Sequence, residues 1–388
     1  MTDLPDCPAI PLDLDAIAGA EGRIVVFAEG PEKLDQGARR VNRLTKGALM
    51  RLLESDGFSK AKAGEAREIA YPVGLAAEAV QVIKLPRKPG ALDARKAGAA
   101  IAKAAAGKPA LVLAGAVAGA EQIALGAMLR AYDFRDCKGT GGEDEDAPEP
   151  AGPFTFAVSK AEELGAAIAA LRPVAEGVAF TRDLVNLPAN LLTTETFADK
   201  LSALTTLGLE VEVLDEADLA REGMEMMLAV GHGSDSPSKM VVMRWMGGAA
   251  GAAPLALIGK GVVFDTGGIS LKPAGGMEEM TMDMGGAGTV AGVMQCLAAR
   301  GAKANVVGLV GLVENMPSGR AQRPGDVVTS MKGDTVEVIN TDAEGRLVLG
   351  DVMWYAQEHF KPAAMVDLAT LTGAMIVALG HEKAGVFA

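Results

Sequence analysis

The chain has 388 residues, of which 49% are hydrophobic and 22% charged, the composition of an ordinary soluble globular protein long enough for two cores. Its formal net charge of −13 argues against nucleic acid or an anionic membrane as the main partner. The start, MTDLPDCPAI, lacks the basic and apolar regions of a secretory signal, and three cysteines without close pairing are typical of reduced thiols. These observations predict a cytoplasmic protein.

The first third of the chain alternates strand-like runs with an alanine-rich helical one. This is the pattern of an α/β domain. The strand-like runs are RIVVFA (23–28), AVQVIKL (79–85) and PALVLAG (109–115), and the helical run is ALDARKAGAAIAKAAA (91–106).

A segment rich in glycine, proline and acidic residues follows, KGTGGEDEDAPEPAGP (138–153). It is interpreted as a solvated loop without chemistry, because runs of like charge repel. The next run, FTFAVS (154–159), predicts a strand. Residues 161–186 predict a long helix that is broken or bent near Pro173, since proline removes a backbone donor.

The remainder is denser in apolar strand-like runs, most of them separated by helical runs. Such alternation predicts a mainly parallel sheet covered by helices on both faces, in which ligands collect at the carboxyl ends of strands. The predicted strands are 209–215, 239–246, 254–264, 304–313, 336–340 and 363–371, and the main helices are 288–300 and 346–360.

The segment EVINTDAEGRLVLGD (337–351) places charged residues where a strand is predicted to end. Asp342, Glu344 and Arg346 are two residues apart, and in extended chain such residues point to the same face. Two crowded carboxylates repel unless a cation lies between them or one keeps a proton. For this segment alone, a structural salt bridge to Arg346 is the alternative interpretation.

A second polar cluster lies within residues 259–286, after another predicted strand. It carries Lys260, Asp265, Lys272 and Asp283 among several glycines, which allow a close approach of the backbone. A lysine in an apolar strand is costly to bury unless it is paired or deprotonated. The two segments together offer more charged groups than a solvated loop needs.

Oxygen-rich ligand sets of this kind suit Mg²⁺, Mn²⁺ or Zn²⁺. Two ions about 3.5–4 Å apart can activate a water molecule and polarise a carbonyl group. A neutral lysine could join as a nitrogen ligand, because a nearby dication lowers its pKa. The three histidines, at 232, 359 and 381, lack HExxH spacing and are interpreted as loop or surface residues.

Rival interpretations rest on weaker patterns. FDTG (264–267) resembles the catalytic triplet of aspartic proteases, but that mechanism needs a second triplet or a symmetric dimer, and the chain has one DTG. GGAGTVAG (285–292) misses the glycine spacing of a dinucleotide fingerprint. A binding or assembly subunit that keeps the fold without turnover stays open.

The motifs resemble those of a known family. NTDAEGRL (340–347) is similar to the signature of the leucyl aminopeptidases, the cytosol aminopeptidases with two metal ions. The resemblance is strong from about residue 175 to the end and weak over the first 160. Further segments that resemble the family in order and spacing are TRDLVNLPAN (181–190), IGKGVVFDTGGISLKP (258–273), MEEMTMDMGGAG (277–288) and DLATLTGA (367–374).

This resemblance implies a domain organisation. We expect a smaller macro-like α/β domain over residues 1–160, a linking helix over 161–180, and a catalytic domain over 181–388 with a mainly parallel central sheet covered by helices. Family members continue for about a hundred further residues, in keeping with ordinary domain lengths. We therefore expect that the C-terminal part of the catalytic domain is missing and that an extended version would be more soluble and more active.

The resemblance also implies a role for each charged residue. Lys272 would stabilise the oxyanion of the tetrahedral intermediate, and Arg346 would hold a bicarbonate that acts as general base. The expected ions are two Mn²⁺, with Zn²⁺ or Mg²⁺ as alternatives. One ion would be held by Lys260, Asp265, Asp283 and Glu344, and the other by Asp265, Asp342 and Glu344.

The expected substrates are peptides with a leucine-like first residue, since a free α-amine can ligate a metal and restrict cleavage to the first bond. By resemblance, Met280, Thr370, Leu371 and Gly373 belong to the pocket for that residue, although ordinary packing explains them nearly as well. The family resemblance further implies a homohexamer.

Overall fold

The computed structural model describes residues 2–115, 117–137 and 152–388. The chain divides into two compact units, Met1–Ala179 and Phe180–Ala388. Most of the acidic segment interpreted as a solvated loop (138–153) lies outside the described residues. The predicted division into 1–160, 161–180 and 181–388 stays a prediction.

The first unit contains a six-stranded sheet with the strand order β1-β6-β5-β2-β4-β3. All neighbouring strands are parallel except the antiparallel pair β3–β4. The strands are β1 (Ala9–Pro11), β2 (Arg23–Ala28), β3 (Ala66–Ala70), β4 (Ala79–Lys84), β5 (Ala110–Leu113) and β6 (Phe154–Val158). The helices are α1 (Gln36–Leu44), α2 (Ala48–Leu53), α3 (Asp56–Ser59), α4 (Ala91–Ala105) and α5 (Ala120–Ala131).

Continuous apolar runs explain the core of this first unit. In β2, every residue after Arg23 is buried, as expected for a parallel strand covered on both faces. Helices α4 and α5 pack closely because each has a glycine at the crossing. A Cβ on Gly98 would lie 1.9 Å from the carbonyl oxygen of Ile123, and one on Gly126 would lie 2.1 Å from that of Arg95.

Helix α6 spans Ala161–Asn186, as the predicted long helix, and it continues through Pro173, so the break predicted as one of two possibilities there is wrong. A proline removes one helical hydrogen bond, but the alanine and leucine residues around it are strong helix formers that sustain the helix on both sides.

Among the described residues, α6 is also the one helix long and apolar enough to cross a membrane, by length and composition only. That is weak evidence, since core helices of soluble proteins pass the same test.

The second unit is built on a five-stranded sheet with the order β13-β9-β10-β8-β7. The neighbours β13, β9 and β10 are parallel, whereas β8 is antiparallel to both β10 and β7. The strands of this sheet are β7 (Glu210–Leu214), β8 (Lys239–Met246), β9 (Leu255–Asp265), β10 (Asn305–Asn315) and β13 (Ala364–Leu368), and outside it lie β11 (Val327–Thr329) and β12 (Thr335–Glu337). The helices are α7 (Thr194–Ser202), α8 (Glu216–Glu222), α9 (Glu225–Gly231), α10 (Gly285–Ala299), α11 (Gly345–Phe360) and α12 (Ala374–Leu379).

The α/β class with two sheets and covering helices is confirmed, with parallel pairing in the second sheet confined to β13, β9 and β10. The strand predicted at 336–340 does not belong to this sheet. It forms β12, which pairs only with β11 in a separate two-stranded sheet. The prediction that this segment is a strand of the main sheet is therefore wrong, because its tertiary pairing is with β11.

Glycines bring helix α10 directly against the parallel strands. A Cβ on Gly259 of β9 would lie 2.6 Å from the Cα of Ala287, and a Cβ on Gly286 would lie 2.0 Å from the carbonyl oxygen of Leu368. This contact holds the start of α10, and Asp283 just before it, next to the middle of β9. The packing of the helix therefore positions part of the charged cluster.

Candidate metal centre

Strand β9 carries two of the predicted ligands, Lys260 and Asp265. They are five residues apart, so a regular strand would point them to opposite faces. The register with β10 shifts, however, because Val262 pairs with Val313 whereas Asp265 pairs with Asn315. Between these two pairs the chain advances by three residues in β9 and by two in β10, so β9 contains one extra residue. The extra residue of this bulge reverses the alternation and lets both side chains reach one site.

The loop after β9 turns on Gly267 and Gly268, whose φ angles are 87° and 68°. This left-handed region strains any residue with a Cβ. A Cβ on Gly267 would also lie 2.9 Å from Asp342 Oδ1. The turn returns the chain to the strand end, where Lys272 Nζ lies 2.7 Å from Asp265 Oδ2. The glycine pair is therefore what permits this contact.

The segment 340–344 is not extended, contrary to the premise of the sequence argument. Asp342 lies in a turn, and Glu344 has helical angles (φ −69°, ψ −34°) as the residue that precedes α11. The turn nevertheless brings Asp342 and Glu344 together with Asp265, and carboxylate oxygens of the three lie within 4.8 Å of one another. Two remote segments thus converge on one group of acids.

Lys260 forms the buried half of the site, with its side chain 3% exposed. Its Nζ lies 2.7 Å from Glu344 Oε1 and 2.8 Å from Asp283 Oδ2. Thr370 closes this half, since its hydroxyl donates to Asp283 Oδ1 at 2.6 Å and its carbonyl oxygen accepts from Lys260 Nζ at 3.3 Å. A Cβ on Gly345 would lie 3.0 Å from the Cδ and Cε atoms of Lys260, so this glycine makes room for the lysine.

Lys272 forms the more open half. Its ammonium group is paired with the carboxylates of Asp265 and Asp342, and its side chain is 20% exposed. Asp342 is the most accessible of the acids, with its side chain 36% exposed. Each lysine therefore contacts two of the four carboxylates that the sequence analysis singled out.

Burial and pairing act in opposite directions on the charges of the site. Burial alone would lower the pKa of Lys260, but the carboxylates of Asp283 and Glu344 outweigh it and raise that pKa. Burial raises the pKa of Asp283 to about 6 and also raises the pKa of Glu344, while Lys260 opposes both shifts. Four carboxylates and two ammonium groups leave a formal charge of −2, so the site has room for further positive charge.

The donor set fits a divalent cation. Glu344 Oε2 is buried and has no hydrogen-bond partner among the described residues. Asp283 Oδ2 likewise accepts no hydrogen bond there, although the ammonium group of Lys260 is within ion-pair distance. A buried anionic oxygen without a partner is costly. An ion bound to Glu344 and to the nearby Asp265 and Asp342 would satisfy it.

The other predicted site residues lie around this cluster. Arg346 is exposed in the first turn of α11, and among the described residues no ion pair joins it to Asp342 or Glu344. The alternative of a salt bridge within that segment is therefore wrong, because those acids pair with the lysines. Met280 is half-buried, Gly373 is exposed, and Leu371 Cδ1 would lie 2.9 Å from a Cβ on Gly345.

Two buried polar residues at the site were missed by the sequence analysis. Asn315, the last residue of β10, donates to Asp265 Oδ1 at 2.8 Å. Thr341 donates from its hydroxyl to the carbonyl oxygen of Gly267 at 2.6 Å. The available signal was a single polar residue at the end of an apolar strand and another inside the motif. Neither pattern shows which residue accepts the hydrogen bond.

The three histidines are exposed, as expected for loop or surface residues. His232 and His381 are exposed, and His359 Nε2 lies 3.0 Å from Glu222 Oε2 on the surface. His232 lines an open cleft of about 530 Å³ together with residues 319–323 and 326–329. None of the predicted ligands lines this cleft, so its size carries no argument about the site.

Comparisons with known proteins identify the family of the chain. Residues 179–388 match the model of the catalytic domain of the cytosol aminopeptidase family, and residues 25–140 match that of its N-terminal domain. The chain belongs to the cytosol aminopeptidase family.

Individual relatives extend the match over the whole chain. A probable cytosol aminopeptidase of Dinoroseobacter shibae is 60% identical over 100% of this chain and 78% of its own length, and one of Cereibacter sphaeroides is 59% identical over 97% and 76%. Among solved structures, the bottromycin maturation enzyme BotP in complex with Mn is 31% identical with a TM-score of 0.75, covering 93% of this chain and 75% of that one.

Membership of the family establishes the general activity. The protein is a metal-dependent aminopeptidase, a hydrolase that acts on peptides. The predicted resemblance and enzyme class are thereby confirmed. The number and identity of the ions, the first-residue preference and the roles of single residues are matters of proposal.

Proposed function

We propose that the protein removes leucine-like N-terminal residues from peptides at a centre that holds two divalent ions, Mn²⁺ by preference. The observation that carries the proposal is the convergence of Asp265, Asp342 and Glu344, where one buried oxygen of Glu344 has no hydrogen-bond partner in the described part of the chain. Lys260 and Asp283 extend the same cluster on its buried side. The solved relative in complex with Mn supports the choice of ion.

The proposed ligand sets share two residues. Lys260, Asp265, Asp283 and Glu344 would hold one ion, and Asp265, Asp342 and Glu344 the other. When bound, the ions would supply a water of lowered pKa and polarise the scissile carbonyl group. Lys260 would join as a neutral amine, because nearby dications oppose its protonation.

The remaining charged residues would act on the substrate and on protons. Lys272 would turn its ammonium group from Asp265 and Asp342 to the carbonyl oxygen of the substrate, where negative charge develops in the transition state. Arg346 lies at the start of α11, where free backbone N–H groups and the helix dipole favour an anion. A bicarbonate held there would accept a proton from the attacking water and return it to the leaving amine.

Specificity would come from the less polar side of the cluster. Met280, Thr370, Leu371 and Gly373 would form the pocket for the first side chain. Leu371 lies beside Gly345 and hence next to the aliphatic part of Lys260. Such a lining favours leucine over a charged residue, whose burial would be costly. We further propose a homohexamer in the cytoplasm, in keeping with the family name.

The activity is tested by metal exchange. The protein is stripped with a chelator and assayed on leucyl and aspartyl amides before and after addition of Mn²⁺, with bound metal counted by elemental analysis. We expect no activity without metal, recovery with two ions per chain, and a preference for the leucyl substrate. Full activity in metal-free buffer with sensitivity to an aspartic-protease inhibitor would instead support the FDTG interpretation.

Two further outcomes separate the remaining alternatives. Two bound ions without turnover on any peptide amide would favour a binding or assembly subunit. Size-exclusion chromatography with light scattering tests the oligomer, and a monomer with full turnover would contradict the hexamer as a condition of activity.

A further inference from the structure

Asn315 occupies the end of β10 and contacts two of the segments that carry the predicted ligands. It is 1% exposed, and its backbone pairs with that of Asp265 across the bulge. Its Nδ2 donates one hydrogen bond to Asp265 Oδ1 at 2.8 Å and another to the carbonyl oxygen of Thr341 at 3.1 Å. The two amide protons therefore join the end of β9 to the segment that carries Asp342 and Glu344.

The rest of Asn315 is held as firmly as its amide group. Its backbone carbonyl oxygen accepts from the backbone N–H of Thr266 at 3.0 Å and from the Thr266 hydroxyl at 2.8 Å. A Cβ on Gly268 would lie 2.7 Å from Asn315 Oδ1, so the glycine turn packs directly against the amide. Hydrogen bonds therefore hold both the backbone and the side-chain amide of Asn315 in place.

The hydrogen bonds of Asp265 divide its two oxygens between different tasks. Oδ1 accepts from Asn315 Nδ2 and, at 2.9 Å, from the backbone N–H of Gly267. Oδ2 faces Lys272 Nζ at 2.7 Å. With Oδ1 held by two fixed donors, the carboxylate plane is set, and Oδ2 is directed towards the cluster.

We propose that Asn315 is a positioning residue for the metal centre: it fixes the orientation of the Asp265 carboxylate and the distance between β9 and the segment 341–344. The inference rests on the proposed function, since it takes Asp265 as a metal ligand. Removing a partner that orients a metal ligand typically lowers metal affinity or activity about 10- to 100-fold. The site therefore depends on a strand, β10, that carries no predicted ligand.

The chemistry of an amide suits this task better than its alternatives. A carboxylate at 315 would place another negative charge against Asp265, in a cluster whose formal charge is already −2. A hydrocarbon side chain would leave Asp265 Oδ1 and the carbonyl oxygen of Thr341 short of a donor. An amide supplies two donors and no charge.

The test replaces Asn315 with leucine, which has a similar volume and no donor. Mn²⁺ affinity is measured by competition with a fluorescent chelator, and kcat and KM are measured at saturating metal. We expect metal binding about 10- to 100-fold weaker and a lower kcat with little change in KM, in a protein with a wild-type circular dichroism spectrum. Wild-type metal affinity and kcat in folded Asn315→Leu would overturn the proposal.

Gln322→Leu provides the matched control. Gln322 is also buried, at 6% exposed, and its amide atoms have no hydrogen-bond partner among the described residues. The same substitution there is expected to leave Mn²⁺ affinity unchanged. Equal loss of affinity in both variants would show a general effect of altering buried amides and would overturn the assignment to Asn315.

Two more variants keep the result interpretable. If Asn315→Leu fails to fold, Asn315→Ser is measured instead, because the serine hydroxyl keeps one donor at a greater distance from Asp265. We expect its Mn²⁺ affinity to lie between those of wild type and Asn315→Leu, and wild-type Mn²⁺ affinity would overturn the proposal.

Asp265→Ala tests the proposed function separately. Wild-type metal binding in Asp265→Ala would contradict the ligand set, whereas its loss there, together with wild-type binding in Asn315→Leu, would contradict only the positioning role.

Discussion

The two lysines of the site have the same number of acidic partners and very different surroundings. Lys260 comes from the middle of β9, and its side chain is 3% exposed between Asp283 and Glu344. Lys272 comes from a glycine-rich loop, and its side chain is 20% exposed between Asp265 and Asp342. The two lysine side chains are chemically identical, but one is buried and the other is partly exposed within the same cluster.

This difference indicates different functions. Lys260 is enclosed by a strand, by Gly345 of α11 and by Thr370, so it cannot leave its carboxylates without leaving them buried and unpaired. Lys272 shares water-accessible space with Asp342, where solvent weakens each ion pair. A fixed lysine suits a ligand, and a releasable one suits an electrostatic partner of the substrate.

The largest expected effect follows from removing the buried cation. Lys260→Met keeps the aliphatic volume and leaves Asp283 and Glu344 buried without their partner. Breaking a buried pair in this way costs about 3–5 kcal/mol, and we expect that loss in urea unfolding with chelator present. Metal occupancy and activity should fall together, and a wild-type unfolding midpoint with two bound ions would contradict the assignment.

Removing the accessible lysine should separate chemistry from metal binding. We expect Lys272→Ala to retain two ions and to lose about 10²–10³-fold in kcat, by analogy with loss of one oxyanion donor. Elemental analysis and steady-state kinetics on the leucyl amide measure the two quantities. Equal metal loss in the Lys260 and Lys272 variants would remove the distinction between the two residues.

A smaller effect is expected from the space beside Lys260. In Gly345→Ala the new Cβ would meet Lys260 at 3.0 Å and Leu371 at 2.9 Å, so the lysine must shift by a few tenths of an ångström. We expect kcat/KM to fall about 10-fold, because misplacement of site groups on this scale is costly. The unfolding midpoint should fall slightly or not at all, because the close contacts cost stability and the first residue of a helix gains less from alanine than the helix interior does.

The control for that variant lies in the same helix. A Cβ on Gly350 would meet only the flexible tip of Met226, at 2.8 Å. Gly350→Ala, inside the same helix, should therefore gain helix propensity by about 1 kcal/mol with unchanged kcat/KM. A similar loss of activity in both variants would place the cause in the helix and not in the room left for Lys260.

The smallest expected effect concerns a buried acid outside the cluster. Asp351 of α11 accepts from the backbone N–H groups of Met227 at 3.0 Å and Met331 at 2.8 Å. Burial raises the pKa of Asp351 above 3.8, with a further contribution from Glu225, while these N–H groups oppose the shift. The folded state therefore holds this proton to higher pH than the unfolded state does.

The sign of the pH effect follows from that difference. The contribution of Asp351 to stability is greatest below about pH 3.8 and declines as pH rises through the folded-state pKa. The free energy of unfolding of wild type minus that of Asp351→Asn should therefore decrease from pH 4 upwards and then level off. Urea titrations of both proteins at each pH measure it, and a difference that grows with pH would contradict the shift.

Local sequence determined much of this protein. The apolar run 23–28 became a strand and the alanine-rich run 91–106 became a helix, because backbone propensity and hydrophobic periodicity act within a few residues. The chemical types of the site residues were also visible, since a lysine in an apolar strand and closely spaced acids are costly without partners. The helix does not break at Pro173, because the strong helix formers around it sustain the helix on both sides.

Only the tertiary structure decided how those residues meet. The bulge that turns Lys260 and Asp265 to one side depends on pairing with β10, and the segment 342–344 meets them through a turn into α11 rather than along a strand. Asn315 became part of the site for the same reason. Pairing register and helix packing are set by contacts between segments far apart in the chain, and no local pattern records them.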